Sequence, residues 1–283
     1  MSLIQLAIIA LIQGITEWLP ISSSGHVLLA ADFFELEGRD ELLINAMAHL
    51  GTLFAVLLYF WRDVARAVAG GFELISAPFR NTAISPSAKL AANILASLPI
   101  TLIVVAMYET LMPDVAKSAL RSVWTVAATT IIFGLALWWA DIKGGQSRKE
   151  RDMNIRDAIL IGATQAIAAI FPGTSRSGIT MTAARALGFS RIESARFSML
   201  IGAPLLAAVG AYAFYQLGTE TAPAGIATLT DGLIVAALSF IAGILSISAL
   251  MALLKRMSFL PFVIYRLILG AALILSAPVL GLF

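Results

Sequence analysis

Gln13-Gly14-Ile15-Thr16-Glu17-Trp18-Leu19-Pro20-Ile21-Ser22-Ser23-Ser24-Gly25-His26 puts a carboxylate, three serine hydroxyls and an imidazole where a membrane span would otherwise run. Apolar residues lead into it from Leu3 to Ile12 and follow it from Val27 to Ala31. An ionisable side chain in hydrocarbon costs roughly 2.5–3.5 kcal/mol on insertion scales, so it marks function before anything else. Pro20 lacks a helical donor and clashes with the preceding turn, which predicts a break near it.

The rest of the chain explains why this stretch stands out. Of 283 residues, 59% are hydrophobic and 13% charged, against about 25% charged in a soluble domain. Mean hydropathy is +0.90. Several continuous apolar runs reach the length of about 20 residues that a membrane helix needs. A membrane β-barrel would instead alternate in segments of about 10. The expected class is therefore all-α, polytopic and membrane-embedded. The absence of Cys excludes disulfides and thiolate metal sites. Nothing predicts a nucleic-acid surface. No basic region precedes the first apolar run, so no removable signal peptide is expected.

Spans are predicted at about 45–61, 90–108, 122–140, 197–217, 233–254 and 259–280. Stretch 32–41 reads as a polar linker, and 70–87 as a loop with room for a short interfacial helix. The positive-inside rule puts the basic ends at 62–66, 141–156, 185–196 and 255–256 on the cytoplasmic face. The loop 218–231 has Glu220 and Asp231 and no basic residue, and lies outside with the C-terminus. Six spans between these points leave two interrupted segments, about 3–31 and 158–187, each entering and leaving by one face, from opposite sides. The prediction is one membrane domain, 1–283, made of two inverted repeats, 1–141 and 157–283. Each has a broken re-entrant helix pair followed by three spans, and a cytoplasmic linker, 142–156, joins them.

Local sequence supports the pairing. Gln13 lies seven residues before Pro20, and Gln165 seven before Pro172. Ser22-Ser23-Ser24-Gly25 follows the first proline; Thr174-Ser175-Arg176-Ser177-Gly178 follows the second. Irregular backbone at membrane depth survives only where protein or a wet cavity satisfies it. Broken segments in matching places of two halves point to a midplane site.

Gln13 and Glu17 are four apart and share a helix face. Their oxygens suit a hard cation that also holds phosphate; a polar helix–helix contact is the structural alternative. The serines and free N–H groups at the break suit an anion, or simply cap their own helix. One hydroxyl is a nucleophile if a base stands beside it. His26 is the nearest base, with Glu17 in reach to orient it. His49 has an apolar neighbourhood and reads as structural. Arg176 is the basic residue inside a long apolar stretch, and its guanidinium matches phosphate oxygens. Flanking Gly, Ser and Thr supply a nest of donors; a structural ion pair with Glu17 is the plainer reading. Arg185, Arg191 and Arg196 read as cytoplasmic flank charges, and Trp18, Trp61, Trp138 and Trp139 as interfacial or packing residues.

At these residues the chain resembles the undecaprenyl-diphosphate phosphatase family, the bacitracin-resistance type of integral membrane enzyme. Gln13–Glu17 with Pro20-Ile21-Ser22-Ser23-Ser24-Gly25-His26 is similar to its (E/Q)xxxE and P-x-S-S-x-G-H run. Pro172-Gly173-Thr174-Ser175-Arg176-Ser177-Gly178-Ile179-Thr180 is similar to its P-G-x-S-R-S-x-x-T. Weaker echoes are His49-Leu50-Gly51-Thr52, Arg196-Phe197-Ser198, and Phe259-Leu260-Pro261-Phe262 leading to Tyr265-Arg266. The resemblance implies dephosphorylation of undecaprenyl diphosphate, recycling the lipid carrier of cell-wall synthesis and giving bacitracin resistance. It implies a bacterial inner-membrane location, a site open to the periplasmic side, and a homodimer. It implies a divalent cation, Mg²⁺ or Ca²⁺, on Glu17 and Gln13. Gln at position 13 removes one formal charge from that metal site. Catalysis then falls to Glu17, Ser23, His26 and Arg176. The diphosphate falls to Ser22, Ser24, Gly173, Ser175, Arg176, Ser177 and Thr180. Ser23, His26 and water all remain open as the nucleophile. The rival class is a secondary transporter or lipid flippase, because inverted repeats with broken helices are also a transporter layout.

Overall fold

The computed structural model describes residues 2–23, 26, 38–76, 84–219 and 227–280. Among them the regular structure is helical, with no named strand. Six helices are long and apolar enough to cross a bilayer: Asp40–Tyr59, Pro86–Leu111, Val123–Lys143, Arg191–Ala211, Leu229–Leu254 and Leu260–Ala277. Each overlaps a predicted span, and the chain is a multi-pass membrane protein.

Helix α1, Leu3–Thr16, starts at a capping box in which Ser2 Oγ accepts from Gln5 N and Gln5 Oε1 accepts from Ser2 N. Fourteen residues rise about 21 Å, short of the roughly 30 Å hydrocarbon core. The chain then turns through Glu17–Ile21, as Pro20 predicts. Helix α2, Gly38–Tyr59, begins earlier than the predicted span. Asp40 and Glu41 fall in its first turn, where carboxylates favour the positive helix end. Arg62–Arg66 does not close that span in open loop. It opens a new helix, α3, Trp61–Ser76. Its charged residues share one side, while Val68, Phe72 and Ile75 are exposed on the other, the pattern of an interfacial helix.

The second span is two helices, α4 (Pro86–Ala96) and α5 (Pro99–Leu111), interrupted where Pro99 removes a backbone donor. A short helix α6, Asp114–Leu120, leads to α7, Val123–Lys143. The second interrupted segment is α8 (Ile155–Ala163), α9 (Gln165–Ile170) and α10 (Arg176–Ala186), each too short to span. Then come α11 (Arg191–Thr219), α12 (Leu229–Leu254) and α13 (Leu260–Leu280).

Small residues let these helices approach. A Cβ on Gly14 would lie 2.5 Å from Ala242 Cβ, so α1 rests directly on α12. Ser239 and Ser246 of α12 donate to the Ala10 and Ile15 carbonyls of α1. The basic flank residues are bonded in place. Arg185 is fully buried, donating to Asp141 Oδ1 at 3.0 Å and to the backbone carbonyls of Asp141 and Gly144. Arg196 joins Asp63, Glu150 and Glu193. A buried guanidinium needs such partners, so Arg185 is a structural clamp rather than a solvated flank charge.

Candidate active site

Both breaks end on a serine with left-handed backbone: Ser22 at φ 75° and Ser175 at φ 69°. L-residues hold that conformation at a cost of order 1–3 kcal/mol, and such residues gather at functional sites. Each stands immediately before a helical turn. Ser175 Oγ accepts from Gly178 N at 3.1 Å and caps α10.

Arg266 of α13 holds the two breaks together. It is fully buried. Its Nη1 donates to Pro20 O at 3.3 Å and Thr174 O at 2.9 Å, and its Nη2 donates to Gly173 O at 3.0 Å. These carbonyls belong to the non-helical residues of the two breaks, so the guanidinium satisfies what the breaks expose.

Glu17, 5% exposed, is the centre of the side-chain network. Arg176 Nη2 donates to its Oε1 at 2.9 Å. Gln13 Nε2 and Ser23 Oγ both donate to its Oε2 at 2.8 Å. His49 Nε2 is 3.9 Å from the same oxygen. The Arg176 guanidinium lies 5.0 Å from the ring centre of Trp18, a cation–π contact. Trp18 is itself buried and donates from Nε1 to Thr52 O. Gly202 makes room on the other side, since a Cβ there would lie 1.7 Å from Arg176 Nη1. That Nη1 is buried without a hydrogen-bond partner among the described residues, an orphan donor that an anionic oxygen would satisfy.

A polar cavity of about 290 Å³ opens onto this network. Gln13 and Ser23 line it from the first break, and Ala168, Ala169 and Pro172 from the second. Glu41, Asn45 and His49, spaced by four along one face of α2, form another wall with Tyr108 and Arg121. Glu17 sits behind Gln13 and Ser23, bonded to both.

The other predicted residues divide. His26 Nδ1 is 2.6 Å from Ser22 O and its Nε2 2.6 Å from Tyr265 Oη, with the two rings stacked. A carbonyl at Nδ1 requires a proton there, so the neutral ring accepts from Tyr265 at Nε2. Tyr265, not Glu17, thus orients the imidazole. Ser177 Oγ donates to Leu19 O at 2.9 Å and ties the second break to the first. Thr180 Oγ1 bonds to carbonyls of its own helix and lies 2.6 Å from Ser198 Oγ. Gly173, at φ 88°, turns the second break. Ser24 lies outside the described residues.

Glu17 and Gln13 do not fit a divalent cation as they stand. Both carboxylate oxygens already accept from donors, one of them a guanidinium, and a dication there would face that positive charge directly. Among the described residues no three His, Cys, Asp or Glu side chains cluster for a metal.

The family model of bacitracin resistance protein BacA matches residues 6–272. The chain belongs to the BacA family. It is 60% identical over 281 residues to the undecaprenyl-diphosphatase of Hyphomonas neptunium, covering 99% of both chains. It is 45% identical over 279 residues to that of a Jannaschia species, covering 98% of this chain and 99% of the relative. To that of Ruegeria pomeroyi it is 44% identical over 276 residues, covering 97% and 98%.

Within this BacA-family chain, sequence reasoning missed His49, Tyr265, Gly202 and Arg266 as parts of the site. A signal existed for two of them. Arg266 is an Arg inside the apolar helix Leu260–Leu280, and the insertion cost that marked Arg176 marks it equally. His49 shares the four-residue spacing of Glu41 and Asn45. Tyr265 stood in the sequence only as a weaker echo of the family, and Gly202 carries no local signal.

Proposed function

We propose that this chain hydrolyses undecaprenyl diphosphate to undecaprenyl phosphate and inorganic phosphate, recycling the carrier lipid of cell-wall synthesis and supporting bacitracin resistance. The observation that carries this is the 2.9 Å contact between Glu17 and Arg176, one from each broken segment, with Ser23 Oγ on the same carboxylate. The family match and the names of the relatives agree with it.

The geometry favours Ser23 as nucleophile and Glu17 as its base. As Ser23 Oγ attacks the terminal phosphorus, its proton passes to Glu17 Oε2. The bond from phosphorus to the bridging oxygen breaks, and undecaprenyl phosphate leaves with that oxygen. Water then cleaves the phosphoserine and releases inorganic phosphate. Once protonated, Glu17 loses its hold on Arg176, and the guanidinium turns its charge to the phosphoryl oxygens. His26 and Tyr265 brace the turn that carries Ser23. The divalent cation expected from the resemblance is proposed as a companion of the diphosphate, and no step above runs through it.

The proposal extends to the setting. The site opens to the outer side of a bacterial inner membrane. In support, Arg66 and Arg196 share Asp63 and Glu150 just past the C-terminal end of α2, while the polar cavity adjoins its N-terminal half. The two repeats are inverted copies, supported by Ser22 and Ser175 in matching places. A homodimer rests on the resemblance alone. The test is phosphate release from a C55 or C15 prenyl diphosphate by purified protein, wild type against Arg176→Ala. No release in detergent with Mg²⁺ or Ca²⁺ overturns the reading.

A further inference from the structure

Arg121 is held in the turn between α6 and α7. Its N–H donates to Lys117 O at 3.2 Å and Ser118 O at 3.1 Å. Ser122, next in sequence, caps α7 through Thr125 N, and Thr125 Oγ1 reaches back to Ala119 O. The backbone is therefore pinned, while the side chain is exposed and lines the polar cavity.

Among the described residues the Arg121 guanidinium has no ion pair or hydrogen bond. The basic neighbour in the same stretch, Lys117, is already neutralised by Glu109 at 3.0 Å. Glu41 lines the same cavity, but it is not within ion-pair distance of Arg121. The cavity thus has a free cation at its exposed rim and buried Gln13 with half-buried Ser23 at its floor, with Arg176 beyond them.

A prenyl diphosphate carries two phosphoryl groups, and one guanidinium at the floor leaves the second without a cationic side chain of its own. We propose that Arg121 binds the phosphate that carries the prenyl chain, while the floor takes the terminal one. This rests on the proposed hydrolysis of a prenyl diphosphate and adds the residue that holds the part of the substrate that stays behind as product. An unpaired guanidinium pays no cost in broken ion pairs when it takes a phosphate, and its planar fork suits two oxygens at once.

The test is a binding measurement with the purified full-length chain in detergent. The probe is farnesyl phosphate, which has the prenyl-linked phosphate and no anhydride bond to cleave. Arg121→Gln is expected to weaken its binding about tenfold, with Arg121→Lys between the two. Farnesol, which lacks the phosphate, is expected to bind all three proteins alike. An unchanged melting temperature serves as the folding control for this exposed side chain. Equal farnesyl phosphate affinity in wild type and Arg121→Gln overturns the proposal. So does no binding to wild type, or an equal loss for farnesol. Phosphate release from farnesyl diphosphate, measured separately, tests the hydrolase reading itself.

Discussion

Glu17 and Arg176 stand 159 positions apart in sequence and meet at 2.9 Å. The contact joins the two broken segments between the membrane-spanning helices. Each charge compensates the other's burial.

Arg176→Ala should lower phosphate release by at least about 100-fold, the usual loss when a preorganised charge donor is removed. Glu17→Gln should cost as much. Because the two act as one unit, the double variant should be little worse than either single one. Additive losses in that cycle would mean the two residues act separately.

Ser23→Ala should abolish turnover if its hydroxyl is the nucleophile, since Ser23 is the hydroxyl that donates to Glu17 Oε2. His26→Gln should cost less, because the imidazole is bonded to Ser22 O and Tyr265. Mass spectrometry of acid-quenched enzyme should find phosphate on Ser23. Phosphate on His26, or near-normal turnover of Ser23→Ala, would rule out the serine route.

Gly202→Ala places a methyl group 1.7 Å from Arg176 Nη1. The guanidinium must shift, and a misplacement of about 1 Å costs about 100-fold in rate. The loss should appear in kcat with the melting temperature nearly unchanged. Equal activity would show that Arg176 has room to spare.

Arg266→Leu should destabilise the protein by at least about 3 kcal/mol, because several buried carbonyls of the two breaks lose their donor together. Thermal or SDS titration in detergent reads this directly. Arg266→Lys should recover only part, since an ammonium cannot span both breaks as a planar fork does.

Chelation should stop phosphate release, and added Mg²⁺ or Ca²⁺ should restore it, if the cation enters with the diphosphate. Gln13→Ala should then leave the half-saturating cation concentration within about twofold, because Gln13 serves Glu17 rather than the metal. A large rise would return Gln13 to the metal site.

The sequence alone was enough for the spans, the breaks and the two charges that meet between the breaks. Those are local properties: hydropathy over a window, the missing donor of Pro20 and Pro172, and the cost of Glu17 and Arg176 in hydrocarbon. It was not enough for the roles of residues whose partners are distant in the chain. Only the folded molecule turns Ser177 toward Leu19 O, gives His26 to Tyr265, and opens space for Arg176 at Gly202. Gln13 and Glu17 read alike as metal ligands or as a hydrogen-bonded pair until Arg176 is placed beside them. A side chain's type sets what it can bond to, but which partner it finds depends on packing between separate helices, and no local pattern encodes that.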